Sequence, residues 1–247
     1  MNKICCLYLT NTNFLRLDNW AIYNNVKDMC LDANVDLFTY IENKNMIDKV
    51  LYHYDIKSCE FTYDSLFNKF KYYNIIKINK KYVGNTFLTL LDLYTWYSYY
   101  DYYVFYEDDL GWFSNENLFK KIDYNYDLIM EKPKYDNNWF WLNNYTNIEF
   151  NNKYAYRGLL NLYIVSNKFL KELYNYILTS NKYGHFEYLI KSFAYDNNFN
   201  IGYLNDMIDL KFEFDHNNLS GKYHDLIHPI KDINILNYYL NLKNEQS

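Results

Sequence analysis

Three consecutive acidic residues, Glu107, Asp108 and Asp109, have the types and the spacing to do chemistry. They directly follow the segment Tyr102–Tyr106, in which every residue is aromatic or β-branched. Such a run is typical of a strand that is buried on both faces, as in a parallel sheet. Carboxylates clustered at its end repel one another and resist burial unless a cation neutralises them. Because open α/β sheets bind ligands at the carboxyl ends of their strands, the segment predicts a divalent-metal site, with an acidic turn as the plainer alternative.

The spacing within this acidic segment separates the roles of its members. Side chains two residues apart on an extended segment point to the same face, so Glu107 and Asp109 are expected to address one site. Asp108 is then expected to point elsewhere. Mg²⁺ and Mn²⁺ prefer oxygen ligands, and Mg²⁺ commonly combines one or two protein carboxylates with substrate phosphates. The acids therefore predict a site that binds Mg²⁺ or Mn²⁺ together with a phosphorylated ligand.

Glu187 is a candidate general base. It is predicted to lie in the first turn of a helix over residues 185–198, where the helix dipole favours an ionised carboxylate. An ionised carboxylate in a cleft can remove a proton from a hydroxyl nucleophile. Acidic residues are common in the first turns of helices, so a Glu187 without any catalytic contact is the alternative.

A third segment, from Tyr223 to Lys231, contains two histidines, a proline and a lysine in a chain with only five histidines and two prolines. The proline ring restricts the preceding residue, His228, to an extended conformation. His228 can offer a nitrogen ligand to a metal, and Lys231 can meet a phosphate as a point charge. A structural histidine with no ligand is the alternative interpretation.

Polar residues also follow the first two predicted strands, which with the helix between them form a βαβ unit. Thr10 and Asn11 follow the first strand, and Glu42 follows the second. In a βαβ half these positions lie where a nucleotide base and ribose bind. No Gly-x-Gly-x-x-Gly pattern follows the first strand, which disfavours a dinucleotide cofactor, and no P-loop pattern is present.

The order of apolar runs and capping residues predicts an α/β chain. Strands are predicted over residues 3–9, 35–41, 56–61, 74–78, 102–106, 126–130, 139–141, 156–165, 201–204 and 210–214. Helices are predicted from Asp18, from Gly84 to about Tyr100, and over residues 115–121, 167–179, 185–198 and 234–242. The helix that ends near Tyr100 is apolar nearly all round and is expected to be buried. Ser166 is expected to cap the helix over residues 167–179.

Composition narrows the classes of function. The chain has 247 residues with no internal repeat or linker, which predicts a single domain. Its net charge is −5 with acids and bases interspersed, so nucleic-acid binding is disfavoured. The four cysteines show no Cys-x-x-Cys pairing, which indicates reduced core thiols. Neither a signal peptide nor a membrane span is evident, so a cytosolic location is expected.

The order of these features resembles that of the GT-A-fold glycosyltransferases, over about Lys3 to Lys231. In that family an N-terminal βαβ half binds the nucleotide of a sugar nucleotide. A buried helix then leads to a strand that ends in an acid-x-acid motif, which holds a metal through the diphosphate. A later helix carries an acid that is the base in inverting members, and a C-terminal histidine completes the metal site.

The resemblance implies one GT-A-like, Rossmann-like domain with a mixed, mostly parallel central sheet flanked by helices. Residues 1–110 are then the nucleotide-binding half, residues 111–233 the acceptor and catalytic half, and residues 234–247 a C-terminal helix. The implied activity is the Mn²⁺- or Mg²⁺-dependent transfer of a sugar from a nucleoside-diphosphate sugar to a hydroxyl acceptor, with inversion at the anomeric carbon.

The family pattern also implies roles for individual residues. Asp109 and His228 are the implied metal ligands, with His224 as a substitute for His228, and Glu187 is the implied base. The implied donor-binding residues are Thr10, Asn11, Glu42, Asn85, Glu107, Asp108 and Lys231. The chain departs from the family at one position, because the base motif usually ends in two acids whereas Glu187 lies between Phe186 and Tyr188.

Two other functions fit the same residues. A metal-dependent phosphoesterase needs two close metals, and the further Asp and His residues that these require are absent near Asp109. A non-catalytic carbohydrate-binding or scaffold protein with the same fold requires neither Asp109 nor Glu187. Nothing in the sequence excludes the scaffold.

Overall fold

A computed structural model describes most of the chain in twelve ranges. These are residues 2–10, 17–42, 58–61, 63–70, 77–78, 81–82, 86–135, 156–157, 160–180, 185–212, 224–230 and 233–246. None of the helices in these ranges combines the length and the apolar composition that a membrane crossing requires.

Strands and helices are interspersed along the described ranges. The strands are β1 (Ile4–Thr10), β2 (Asp36–Glu42), β3 (Ser58–Phe61), β4 (Lys77–Ile78), β5 (Lys81–Tyr82), β6 (Tyr102–Glu107), β7 (Gly111–Trp112), β8 (Leu128–Met130), β9 (Lys134–Tyr135), β10 (Tyr156–Arg157), β11 (Leu162–Ser166), β12 (Ile201–Tyr203), β13 (Leu210–Phe212) and β14 (Leu226–His228). The helices are α1 (Leu17–Ala33), α2 (Tyr63–Phe70), α3 (Phe87–Trp96), α4 (Leu118–Lys121), α5 (Asn167–Thr179), α6 (Phe186–Asp196) and α7 (Ile233–Gln246).

The centre of the fold is a sheet of seven strands in the order β12-β8-β11-β6-β1-β2-β3. Strand β11 is antiparallel to both of its neighbours, and every other pair in this sheet is parallel. This mixed, mostly parallel sheet with flanking helices confirms the predicted fold class. Since β6 lies between β1 and β11, its carboxyl end opens at the middle of one sheet edge.

Both faces of the central sheet are covered, which explains why its central strands β1, β6 and β11 are apolar nearly throughout. Alternate residues of β1 point to opposite faces, so Cys5 and Leu7 enter one hydrophobic cluster while Cys6 and Tyr8 enter the other. Helices α3, α5 and α6 contribute buried residues to the first cluster, and α1 and α7 contribute to the second. The central strands are therefore fixed from both sides, and their ends provide a rigid base for polar side chains.

Helix α5 begins as predicted. The Ser166 hydroxyl accepts a hydrogen bond from the Phe169 backbone N–H at 3.1 Å, which satisfies one of the donors that a helix start leaves open. Ser166 also donates to Asp127 Oδ1 at 3.0 Å. The same residue thus ends β11 and caps α5.

Three predicted elements differ from the structure. Helix α1 begins at Leu17, so Asp18 lies inside its first turn instead of capping it. Helix α3 ends at Trp96 rather than near Tyr100, because Tyr97 leaves the helical conformation while its N–H still bonds to Leu93 O at 3.0 Å. The strand predicted over residues 156–165 is two strands, β10 and β11. The strand predicted over residues 139–141 lies outside the described residues.

The expectation that α3 is buried along its whole length is wrong at its last residue. Trp96 is 71% exposed, and the Lys69 ammonium lies 5.2 Å from the centre of its ring. A cation over an aromatic face stabilises such a ring at the surface. Residues from Phe87 to Tyr94 are buried apart from the half-buried Asp92, so the prediction holds for that part of the helix.

Candidate active site

The acidic segment lies at the carboxyl end of β6. Strand β6 ends at Glu107, whose register partner on β1 is Leu9, one residue before Thr10. A tight turn follows, in which the Leu110 N–H bonds to Glu107 O at 3.3 Å and the Tyr106 hydroxyl bonds to Leu110 O at 3.0 Å. These bonds hold the acids at the open edge of the central sheet.

Two of the acids converge with a histidine. One ligand atom each from Glu107, Asp109 and His228 lies within 4.8 Å of the others, and no second group of this kind occurs in the described ranges. His228 Nε2 is 3.3 Å from Asp109 Oδ1. Glu107 and Asp109 are partly buried and His228 is buried, so the three side chains share a site that is largely shielded from water.

His228 reaches this site because a small second sheet returns the chain to the acids. Strand β7, just after the acids, pairs antiparallel with β14, with Ile227 opposite Gly111. The Ile230 N–H then bonds to the carbonyl oxygen of Asp109 at 2.7 Å. The extended conformation expected for His228 is observed, but the strands that deliver it were not predicted. They have only two and three residues, which is too short for a periodic pattern.

Gly111→Ala is expected to disturb the pairing of β7 with β14, which places His228 beside the acids. A methyl group there would lie 2.5 Å from Phe113 Cε2 and 3.0 Å from Ile230 Cγ1, both in the buried core. Overpacking of this kind costs about 1–3 kcal/mol and shifts the neighbouring backbone. We therefore expect a lower midpoint in urea unfolding and a weaker affinity for the Mn²⁺ or Mg²⁺ ion that the sequence predicts at this site.

Gly202→Ala is the matched control, because Gly202 lies in the edge strand β12 and its added methyl group would lie 2.6 Å from the Tyr126 ring. That variant is expected to lose stability while keeping the wild-type affinity for Mn²⁺. Equal losses of Mn²⁺ affinity in the two variants would contradict a link between the β7–β14 pair and the acidic site.

Asn161 holds the Glu107 carboxylate from the neighbouring strand. Its side-chain amide donates to Glu107 Oε2, and the Glu107 N–H bonds to Asn161 O at 3.0 Å. Burial raises the pKa of Glu107 to about 8, and the charges of Asp109, Asp108 and Glu187 add to the shift while the Asn161 amide opposes it. Sequence reasoning missed Asn161, although it is a polar residue inside an otherwise apolar run.

Asp108 makes a different contact. The Thr10 hydroxyl donates to Asp108 Oδ2 at 2.7 Å, which ties the end of β1 to the turn after β6. Asp108 therefore lies beside the end of β1, and the group of three ligand atoms is formed without it. Thr10 itself is buried, so this bond is held away from bulk water.

Glu187 lies in the first turn of α6 and is buried. It is close enough to Glu107 for its charge to raise the pKa of that carboxyl. Its Oε2 is also 3.7 Å from Nδ1 of His185, the residue before the helix. Burial, together with a smaller contribution from the charge of Lys191, lowers the pKa of His185 to about 3, so this imidazole is neutral at pH 7.

The remaining predicted site residues are less completely described. Asn11, Asn85 and Lys231 lie outside the described residues. Glu42 ends β2, and Ile41 is opposite Thr10, so the Glu42 backbone lies at the same sheet edge as the acids. His224 lies 3.0 Å from Asp209 Oδ1, and it is His228 that joins the acids.

Solved structures of other proteins have a similar fold. The galactosyltransferase LgtC, in complex with donor and acceptor sugar analogues, gives a TM-score of 0.50 at 8% identity, over 98% of this chain and 95% of that chain. The inositol-1-phosphate CTP transferase from T. maritima gives 0.49 at 11% identity, over 99% and 96%. Core-mannan synthase A from Aspergillus fumigatus, in its Mn/GDP form, gives 0.48 at 12% identity, over 84% and 74%. No protein-family model and no curated protein sequence matches the chain.

Proposed function

We propose, from the GT-A-type glycosyltransferase fold that this chain has, that it is a metal-dependent glycosyltransferase with a nucleoside-diphosphate sugar as donor and a hydroxyl group as acceptor. The observation that carries the proposal is the convergence of Glu107, Asp109 and His228 at the open edge of the sheet, with Glu187 nearby. A fold hosts many activities, so the argument rests on these side chains. The similar protein LgtC is itself a galactosyltransferase, which agrees with the proposed class.

The donor atoms of this site suit Mn²⁺ or Mg²⁺. Two carboxylates and one imidazole within 4.8 Å offer oxygen ligands with a single nitrogen, whereas zinc and iron–sulfur sites favour thiolates or several imidazoles. We assign Asp109 and His228 as metal ligands, with Glu107 completing the group. A bound divalent ion supplies positive charge that offsets the negative charge growing on a diphosphate leaving group.

The protein side chains have separate tasks in the proposed reaction. The ends of β1 and β2, with Thr10, Asn11 and Glu42, bind the nucleoside, and Asp108 fixes the end of β1 through Thr10. Asn85 and Lys231 are predicted to contact the donor. Glu187 removes the proton from the acceptor hydroxyl while the acceptor oxygen bonds to the anomeric carbon and the bond from that carbon to the diphosphate breaks. This single displacement releases the nucleoside diphosphate and inverts the anomeric carbon.

Two rivals are distinguished by their requirements. A two-metal phosphoesterase needs a second cluster of ligands close to the first, and the described residues contain one cluster. A carbohydrate-binding scaffold needs neither the metal ligands nor the base, so replacement of Asp109 or Glu187 would leave its function intact.

A cytosolic site of action stays a prediction.

The proposal is tested by thermal unfolding with UDP, GDP, CMP and their sugar conjugates, each with and without Mn²⁺. A ligand at a hundred times its dissociation constant stabilises the fold by about 2.7 kcal/mol, which is a shift of roughly 2–4 °C for a chain of this size. One nucleoside diphosphate is expected to give this shift, and only when Mn²⁺ is also present. Absence of any shift in a well-folded sample would count against the transferase.

The raised pKa of Glu107 predicts that Mn²⁺ binding releases a proton. With a pKa of about 8, this carboxyl is mostly protonated at pH 7 in the metal-free protein, whereas a ligand must be ionised. About one proton is therefore released per ion at pH 7, and the affinity for Mn²⁺ rises with pH up to about 8. Isothermal titration calorimetry in buffers of different ionisation enthalpy measures the number of protons released per Mn²⁺ ion.

Glu107→Gln is the control for this titration, because it cannot release the proton from this side chain. A wild-type binding enthalpy that is independent of the buffer would contradict the assignment of Glu107 to the metal group. The titration uses two buffers with well-separated ionisation enthalpies and no affinity for the metal.

A further inference from the structure

Helix α6 carries a buried lysine beside the proposed base. Lys191 is 1% exposed and is among the largest fully buried side chains of the described residues. It lies four residues after Glu187, so both side chains project from the same face of the helix. Glu187 is also buried, at 7% exposed. A carboxylate and an ammonium are thus enclosed together next to the acidic site.

A buried ammonium is costly unless carboxylates compensate for its lost hydration. Burial lowers the pKa of Lys191 to about 8, and the charges of Glu187 and Glu131 oppose that shift. Glu131 directly follows β8, so the two acids act on Lys191 from different elements. At pH 7 the lysine remains mainly protonated, and a positive charge is present within the protein interior.

The charges of the neighbouring groups determine whether Glu187 is ionised, and only some of them favour its carboxylate form. From β6, Glu107 has a pKa that the charge of Glu187 helps to raise, so the ionised forms of the two carboxyls destabilise each other. From the start of α6, His185 lies 3.7 Å away but is neutral at pH 7. Lys191, in contrast, carries a charge that favours an ionised Glu187, since the charge of Glu187 raises the pKa of the lysine. An opposite charge nearby typically shifts the titration of a carboxyl by about 1–3 pH units.

We propose that Lys191 is a positioning residue for the reaction, whose buried ammonium keeps the Glu187 carboxylate ionised and oriented to accept the acceptor's proton. This inference rests on the proposed function, because it presupposes that Glu187 is the base. Lys191 itself contacts neither donor nor acceptor in this assignment. Its effect on the reaction passes through Glu187.

The variant Lys191→Met removes the charge and keeps an unbranched side chain of similar length. We expect kcat at pH 7 to fall roughly tenfold or more, with the KM for the donor unchanged. The acidic limb of the kcat–pH profile is expected to move to higher pH by about 1–3 units, so that activity partly recovers in alkaline buffer. Lys191→Arg retains the cation and is expected to restore the profile in part.

A double-mutant cycle separates an effect through Glu187 from general damage. In the Glu187→Gln background, Lys191→Met is expected to lower kcat no further, because the group on which Lys191 acts is already absent. Glu131→Gln is the matched control, since it removes a carboxylate beside the same lysine without touching the base. It is expected to leave the acidic limb in place or to move it to lower pH.

A second readout needs no activity. Carbon-13 NMR titration of labelled glutamates, with the Glu187 signal identified from Glu187→Gln, is expected to show a midpoint about 1–3 pH units higher in Lys191→Met. An unchanged midpoint would overturn the role of Lys191 even in an active enzyme. A shifted midpoint in a protein that transfers no sugar would instead support the ion pair and count against the proposed function. If Lys191→Met does not fold, Lys191→Gln removes the same positive charge with a polar side chain and is titrated in its place.

Discussion

Asp109→Asn is expected to abolish Mn²⁺-dependent transfer, with a fall in kcat/KM of about a thousandfold or more. Asp109 supplies an oxygen to the ligand group, lies 3.3 Å from His228 Nε2 and anchors Ile230 through its carbonyl oxygen. The substitution keeps the shape of the side chain and removes its charge. Loss of several kcal/mol of charge stabilisation at the leaving diphosphate corresponds to that factor.

The measurement for Asp109→Asn is the rate of nucleoside-diphosphate release, with the donor that gives the Mn²⁺-dependent thermal shift. Asp28→Asn is the matched control, because it makes the same change of charge at an exposed position on α1. The control is expected to behave like the wild type. Retention of most activity by Asp109→Asn, at saturating Mn²⁺, would rule out its assignment as a metal ligand.

Glu187→Gln is expected to lower kcat by about 10²–10⁴-fold while the nucleotide- and Mn²⁺-dependent thermal shift persists. The amide has the size of the carboxylate but cannot accept the proton of an acceptor hydroxyl. Since the metal group consists of other side chains, donor binding is expected to survive. Kinetics with saturating donor and variable acceptor measure the change in kcat separately from binding.

The stereochemistry of the product tests the same assignment independently. Direct displacement assisted by Glu187 predicts a product with the anomeric configuration opposite to that of the donor, which proton NMR of the first turnovers reveals. A retained configuration, or a Glu187→Gln variant with the kcat of the wild type, would remove Glu187 from the role of base. The metal assignment would be untouched by that result.

The central strands and the location of the acids could be predicted from sequence. The apolar runs of β1 and β6 are continuous because both faces of the sheet are covered, and that signal is local. The acids follow β6 directly, so their place at the sheet edge follows from the strand. The capping role of Ser166 could likewise be predicted, because this residue lies between an apolar run and an amphipathic helix.

The parts of the site that depend on distant contacts could not be predicted. His228 meets Asp109 through the pairing of β7 with β14, two strands that lie far apart in the chain and are too short to show a period. Asn161 faces Glu107 because β11 runs antiparallel beside β6. No local pattern encodes either pairing.

The exposure of individual charged and aromatic side chains could not be predicted from the sequence either. Lys191 is a lysine in an amphipathic helix, and helix periodicity alone does not show that it is enclosed with Glu187 and Glu131. Its spacing of four residues from Glu187 was a signal that could have been used. Trp96 is the opposite case, since an apolar residue at the end of a buried helix is exposed beneath Lys69.

The most direct test of the central claim is cleavage of nucleoside-diphosphate sugars by the purified protein, with a mixture of mono- and disaccharides as hydroxyl acceptors. Released nucleoside diphosphate is measured with Mn²⁺ and with a chelator, for the wild type, Asp109→Asn and Asp28→Asn. Metal-dependent transfer predicts that the wild type and Asp28→Asn cleave one donor in the presence of Mn²⁺, and that Asp109→Asn does not. Donors that bind with Mn²⁺ but remain intact with every acceptor would contradict the transferase and favour a non-catalytic binding protein.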